Sequence, residues 1–151
     1  MTVEHPARQE HISGNDEVGV KKIQFLLDAG GDVNTPNDKR WIPLLEACYW
    51  NRPATARLLL ENGADVRAID NSGNTALHFA CIYGSVSCVR LLLSHGADVN
   101  ARNLVGATSV DLAMQLPSDH PAREEILDLF RQYAPEAVME AYCSPGPGEM
   151  R

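Results

Sequence analysis

Lysine is scarce in this chain of 151 residues: Lys21, Lys22 and Lys39 are its whole complement, and none lies past the first third. Nucleic-acid binding draws mainly on Lys and Arg that neutralise phosphates. The net charge is −7, and the segment from Asp119 to Arg151 is rich in acids. That balance argues against nucleic acid and against an anionic membrane surface as direct partners. No apolar run approaches the roughly 18 residues a membrane span needs. The opening stretch MTVEHPARQEHISG has no apolar core of the kind a secretory signal carries. These absences lead us to expect an intracellular protein, cytoplasmic or nuclear. Catalytic signatures are missing too: there is no G-x-S-x-G, no P-loop and no H-E-x-x-H. Four cysteines, Cys48, Cys81, Cys88 and Cys143, fit no zinc spacing, so no metal or other cofactor is expected. They read as small buried apolar residues, the usual place of a free Cys.

What the chain has in abundance is one phrase. Residues 25–34 read FLLDAGGDVN, 58–67 read LLLENGADVR, and 91–100 read LLLSHGADVN. Leu27, Leu60 and Leu93 are 33 residues apart, as are Gly30, Gly63 and Gly96, and Asp32, Asp65 and Asp98. Ala47, Ala80 and Ala113 keep the step, and so do Leu44, Leu77 and Val110. A fixed period of this length marks a repeat architecture.

Each unit has a physical reading. Thr75 suits a helix N-cap, because its hydroxyl can accept from an orphan backbone N–H. Pro43 and Pro53 suit the first helical position, where the missing N–H costs nothing. Short helices are therefore expected to start near 43, 76 and 109, burying Leu44 with Ala47, Leu77 with Ala80, and Val110 with Ala113. Gly84, or Asn51 in its place, turns the chain into a second helix carrying Val86, Val89, Leu92 and Leu93. Gly63 and Gly96 end these second helices. Two short helices cannot bury an apolar face alone, so neighbouring units must stack into one core.

These residues resemble the ankyrin repeat, whose pattern runs D-x-x-G-x-T-P-L-H-x-A-A, then G, a V-x-x-L-L-L helix and G-A-D-V-N. Residues 70–102 match it at Asp70, Gly73, Thr75, Leu77, His78, Ala80, Gly84, Val89, Leu91 to Leu93 and Gly96 to Asn100. Residues 37–69 depart from it: Arg40 replaces the turn glycine, Ile42 the Thr and Leu45 the His. The resemblance implies an all-α fold, an ankyrin-repeat solenoid of about four stacked helix-turn-helix units with short β-turn fingers. The expected units are 15–36, 37–69, 70–102 and 103–134. The last carries about five extra residues at PSDHP. Residues 1–14 are expected to be a degenerate or partly disordered cap, and 135–151 a short helix and a disordered tail.

The resemblance also implies a non-catalytic module, monomeric when isolated, that binds another protein or peptide. His78 near Cys81 raises a nucleophile reading, but His78 occupies the position where the family's imidazole ties adjacent turns. Positions after the turn glycine and at the end of the first helix face the concave groove in this fold and are expected to carry no packing duty. They are Asp38, Lys39, Trp41, Tyr49 and Trp50, then Asn71, Ser72, Asn74, Ile82 and Tyr83, then Arg102, Leu104, Val105, Gln115 and Leu116. Trp, Tyr and Arg are the usual hot-spot residues, and an exposed apolar strip asks for a cover. A groove centred on Trp41, Trp50 and Tyr83 is therefore expected. The competing expectation is that Trp50 and Leu116 pack on neighbouring loops. Two further classes stay open. Asn34 and Asn100 resemble ankyrin sites used by an asparaginyl hydroxylase in animals. An enzyme or small-molecule site would need a closed pocket with convergent polar groups, which thin stacks of helix pairs rarely enclose.

Overall fold

The computed structural model describes residues 15–37 and 40–143, and all regular structure among them is helical. The helices are α1 (Asn15–Asp28), α2 (Pro43–Tyr49), α3 (Pro53–Glu61) and α4 (Ala76–Ile82), followed by α5 (Val86–Ser94), α6 (Ser109–Met114), α7 (Pro121–Tyr133) and α8 (Pro135–Cys143). They pack in two rows. Along the inner row α2 touches α4, α4 touches α6, and α6 touches α8. Along the outer row α1 touches α3, α3 touches α5, and α5 touches α7. Within each unit the inner helix packs on the outer one. The expected helix starts at 43, 76 and 109 coincide with Pro43, Ala76 and Ser109.

The start signals act as their chemistry predicts. The Thr75 hydroxyl accepts from His78 N, and Thr108 accepts from Asp111 N; each partner side chain reaches back to the cap's own N–H. These are reciprocal capping boxes. Unit two has Ile42 at that place with no side-chain cap, and relies on Pro43 at the first helical position. The start of α3 is capped from another layer. Asp16 of α1 accepts from Ala54 N and Thr55 N, each at 2.8 Å, and from the Thr55 hydroxyl. An N-cap carboxylate or hydroxyl contributes about 1 kcal/mol, and here it also fastens α1 to α3.

The core is the sum of the inter-layer contacts. Leu44, Ala47, Leu77, Ala80, Val110 and Ala113 are buried, as are Leu59, Val89, Leu92, Ile126, Leu127 and Phe130. Val86, expected on the same face, is only half-buried. Each fully buried Leu or Val contributes roughly 1.5–3 kcal/mol. Cys48, Cys81 and Cys88 lie in this core as free thiols.

Between layers the chain forms hairpin fingers with one repeated bonding scheme. Asn37 N donates to Trp41 O, Asp70 N to Asn74 O, and Asn103 N to Ala107 O. Inside each, the N–H of Arg40, Gly73 or Gly106 donates to the carbonyl of Asn37, Asp70 or Asn103. The residue closing the turn is left-handed in all three, with φ of 67° at Arg40, 77° at Gly73 and 84° at Gly106. Each hairpin therefore closes with a left-handed residue just before the paired position, the place where three-residue hairpin loops carry one. The turn residues expected before the outer helices behave alike, Asn51 at φ 56° and Gly84 at 66°.

The last layer is the irregular one. The extra PSDHP residues form a turn, with His120 N donating to Pro117 O, and lengthen α7 to 13 residues against 9 in α3 and α5. His120 caps α7 by accepting from Ala122 N. No glycine turn follows α7. The chain passes through Ala134 directly into α8, which packs on α6 and α7 with Val138 buried. The expected helix of the N-terminal segment, near residues 8–14, and the tail beyond Cys143 lie outside the described residues.

Gly73 and Gly106 share a conformation but not a neighbourhood. A Cβ on Gly73 would lie 3.1 Å from Leu104 N and 3.2 Å from Asn103 Cα of the next finger, whereas one on Gly106 meets nothing within 4 Å. Gly73→Ala is therefore expected to destabilise by about 2 kcal/mol or more, and Gly106→Ala by about 1 kcal/mol from its positive φ alone. Urea denaturation of the two variants checks this; equal losses would show that the finger contact carries no weight.

Candidate functional site on the concave face

Five aromatic rings meet where finger two adjoins the C-terminal ends of α2 and α4. Tyr49 is the hub. Its centroid lies 5.2 Å from Trp41, 4.9 Å from Trp50, 5.0 Å from Tyr83 and 5.9 Å from Phe79, all near edge-to-face. Trp41 and Phe79 are 5.1 Å apart. Such pairs add about 0.5–1.5 kcal/mol each beyond their buried area. Phe79 is buried, while Trp41, Tyr49, Trp50 and Tyr83 are half-buried. Trp41 is held at its backbone: Asn37 Oδ1 accepts from Trp41 N at 3.1 Å, and Asn37 Nδ2 donates to the Glu46 carboxylate at 3.1 Å.

The groove positions were expected to have no packing duty, and the structure corrects this. Trp41, Tyr49, Ile82, Tyr83 and Leu116 all pack against the core with part of each side chain in solvent. The cause is steric. The last turn of a seven-residue helix sits over its neighbour, so a large ring there covers the adjacent layer before it meets water. Trp50 also borders an open cleft of about 290 Å³ between α1 and α2, with Lys22, Ile23 and Glu46 around it.

The remaining positions divide. Asn71, Ser72 and Gln115 are exposed. Asn74 is half-buried, its Oδ1 accepting from Asn103 Nδ2 at 2.9 Å. Arg102 donates to the Gly106 carbonyl at 2.7 Å. Leu104 and Val105 are 78% and 74% exposed at the tip of the last finger, and Leu104 N donates to Ser72 O of the finger before. Asp38 and Lys39 lie outside the described residues. Sequence reasoning passed over Phe79, Asn37 and Glu46. Phe79, on α4, stands four residues before Tyr83, which caps that helix, a helical-neighbour spacing. Asn37 belongs to a further 33-residue column, Asn37, Asp70 and Asn103, which the period alone marks.

The two candidate asparagines have different surroundings. The Asn34 carboxamide bridges layers, donating to Gly63 O at 3.1 Å and accepting from Asp65 N at 2.8 Å. Asn100 is exposed at the equivalent turn, its backbone N–H bound to Asp98 Oδ1.

His78 and Cys81 are not arranged as base and nucleophile. His78 Nδ1 accepts from Thr75 N at 3.0 Å, so Nε2 carries the proton and donates to the Ala107 carbonyl of the next finger at 3.0 Å. Burial pushes the Cys81 thiol far above its ordinary range. Cys48 is likewise raised, first by its hydrogen bond with Cys88 and then by burial. A thiolate is the reactive form, and neither site favours one. Among the described residues no group of three or more His, Cys, Asp or Glu is placed to hold a metal ion, and no helix is long and apolar enough to cross a membrane.

A sequence model described as ankyrin repeats, three copies, matches residues 14–103. The chain belongs to the ankyrin repeat family. The matched span covers the first three layers, α1 to α5 with their fingers, and stops short of the irregular fourth. Curated proteins gave no match. Ankyrin repeats generally mediate protein–protein interaction, and the family is typically non-catalytic.

Burial lowers the His78 pKa, with the Ala107 carbonyl opposing it. The unfolded chain then takes up protons before the folded one does, so the contribution of His78 is full above about pH 6.5 and is lost as pH falls below that. His78→Leu, the residue found at the matching position 45, is expected to remove this dependence and to cost about 1–3 kcal/mol at pH 7.5. Unfolding midpoints at pH 7.5 and 5.5 measure both; an unchanged pH slope in the variant would rule out His78 as its source.

Proposed function

We propose that this ankyrin stack is a non-catalytic binding module, an adaptor, inhibitor or complex subunit, that receives a partner protein or peptide along its inner helices and fingers. The observation that carries the reading is the cluster of half-buried rings, Trp41, Tyr49, Trp50 and Tyr83, at the ends of two successive inner helices and a finger; the exposed Leu104 and Val105 add apolar surface on the last finger. The rings are rigid, large and fixed by edge-to-face packing, so they lose little conformational entropy on binding. Hot spots are typically built of such anchors. The clefts near the site are open troughs between helices, which suits a macromolecular surface better than a small substrate.

Because Trp41 and Tyr83 also pack on the core, the decisive variants are at Trp50 and Leu104. Trp50→Ser with Leu104→Asp is expected to abolish capture of the partner from native extract while lowering the melting temperature by only about 2–8 °C, the share of the lost Trp50–Tyr49 ring contact, so that the variant stays folded at the assay temperature. Trp41→Ala is expected to lower both, with a stability loss of about 2 kcal/mol. Undiminished capture by the double variant would sink the groove.

A second reading concerns modification. Asn100 presents an exposed carboxamide, whereas Asn34 spends both ends of its own on the next layer. Of the two, Asn100 is the one we expect an asparaginyl hydroxylase to take. Peptide mass spectrometry of native protein would show a gain of one oxygen at Asn100 and none at Asn34; unmodified Asn100 would dismiss it.

A further inference from the structure

The outer row carries a feature that the groove reading does not use. Arg57 and Arg90 are one period apart, so they stand at the same level of α3 and α5, which pack side by side. Both are exposed, and together they line an open trough of about 530 Å³. Among the described residues neither guanidinium has a hydrogen-bond or ion-pair partner. The chain has 20 acidic residues against 13 Lys and Arg, yet no free carboxylate lines the trough. Asp16, which does line it, already accepts from Ala54 N, Thr55 N and the Thr55 hydroxyl. Glu125 and Asp128 border the next cleft, between Arg90 and α7; neither pairs with Arg90, and Asp128 is engaged by Arg131. Two adjacent cations with no anion between them repel each other, and an anion seated there relieves that repulsion.

We infer that this outer trough docks a short acidic segment of a partner protein, with Arg57 and Arg90 each taking a carboxylate. A guanidinium donates to a carboxylate through two parallel N–H bonds, a planar match that an ammonium cannot make. Ser87 and Tyr133 also line the trough and carry hydroxyls. Packed helices lie about 8–10 Å apart and an extended peptide rises about 3.3 Å per residue, so acids about three positions apart match the two arginines. The net charge of −7 sets the length of the occupant. A long polyanion, such as nucleic acid or a membrane surface, meets the acid-rich body as well as the trough. A short segment meets chiefly the trough, because exposed charges are screened beyond about 8 Å at physiological salt. The trough belongs to the outer helices, so a stack holding one partner on its inner helices keeps this surface open for another.

The test is an array of Gly-Ser peptides carrying paired Glu or Asp at graded separations, with paired Gln or Asn as controls. It is probed with the full chain, the Arg57→Gln/Arg90→Gln chain and the Trp50→Ser chain. The full chain is expected to favour acidic pairs over amide pairs by about tenfold, most strongly at about three positions apart, and less as salt rises. The double variant should lose this preference with a melting temperature unchanged or slightly raised, since the repulsion goes with the arginines. The Trp50→Ser chain should keep it. Acidic pairs bound no better than amides, or equally well by the double variant, overturn the trough and leave the groove standing. Loss of the preference in Trp50→Ser assigns the acidic segment to the groove and overturns the trough as its seat. Tighter binding of an oligonucleotide of equal charge overturns the choice of occupant.

Discussion

Everything in this molecule hangs on contact between neighbouring layers. A pair of helices of seven and nine residues has too little surface to enclose a core of its own. Leu44, Leu77 and Val110 are dry because the next inner helix packs on theirs, Leu59 and Leu92 because the outer row continues, and Phe130 because α7 is packed by α5, α6 and α8. Stability in such a stack is close to a sum of nearest-neighbour terms. The polar ties follow the same rule. Asp16 caps the helix of the following layer, Asn34 bridges to the next turn, and His78 reaches the next finger. Each of these side chains makes at least one bond about one period away.

The same geometry makes the binding face. The fingers repeat one closing scheme, and the last two are joined by Leu104 N donating to Ser72 O. Successive inner helices pack side by side, and the residues at their ends meet each other and the finger, Tyr49 against Tyr83 and Trp41. In layers two and three those side chains are aromatic and lock together through Tyr49. The result is a stiff patch whose rings serve the core on one side and remain in reach of solvent on the other. Where the period breaks, the ends of the stack are finished differently. The longer α7 and the directly following α8 close the inner row without another glycine turn.

Much of this was legible beforehand because it is local and periodic. The helix starts at 43, 76 and 109, the left-handed residues at 51 and 84, and the capping role of Thr75 all follow from residue chemistry within one unit. The column Asp32, Asp65 and Asp98 was visible as a pattern but not as a device. The structure shows each carboxylate accepting from the N–H two residues on, fixing the turn after the outer helix. Harder to read were contacts whose partners lie a full layer away. Nothing near Asp16 announces that it will cap α3, and nothing near Phe79 announces that it will meet Trp41.

By itself, then, the amino-acid order determined the period, the layering and the turns, because hydrophobic spacing, proline and glycine act over a few residues. Tertiary structure alone decided how far each groove residue is buried, and which rings share a cluster. It also decided where α8 lies and which asparagine is tied and which is bare. Those outcomes depend on side chains brought together from positions some thirty residues apart, where the packing of one layer on the next sets both direction and exposure.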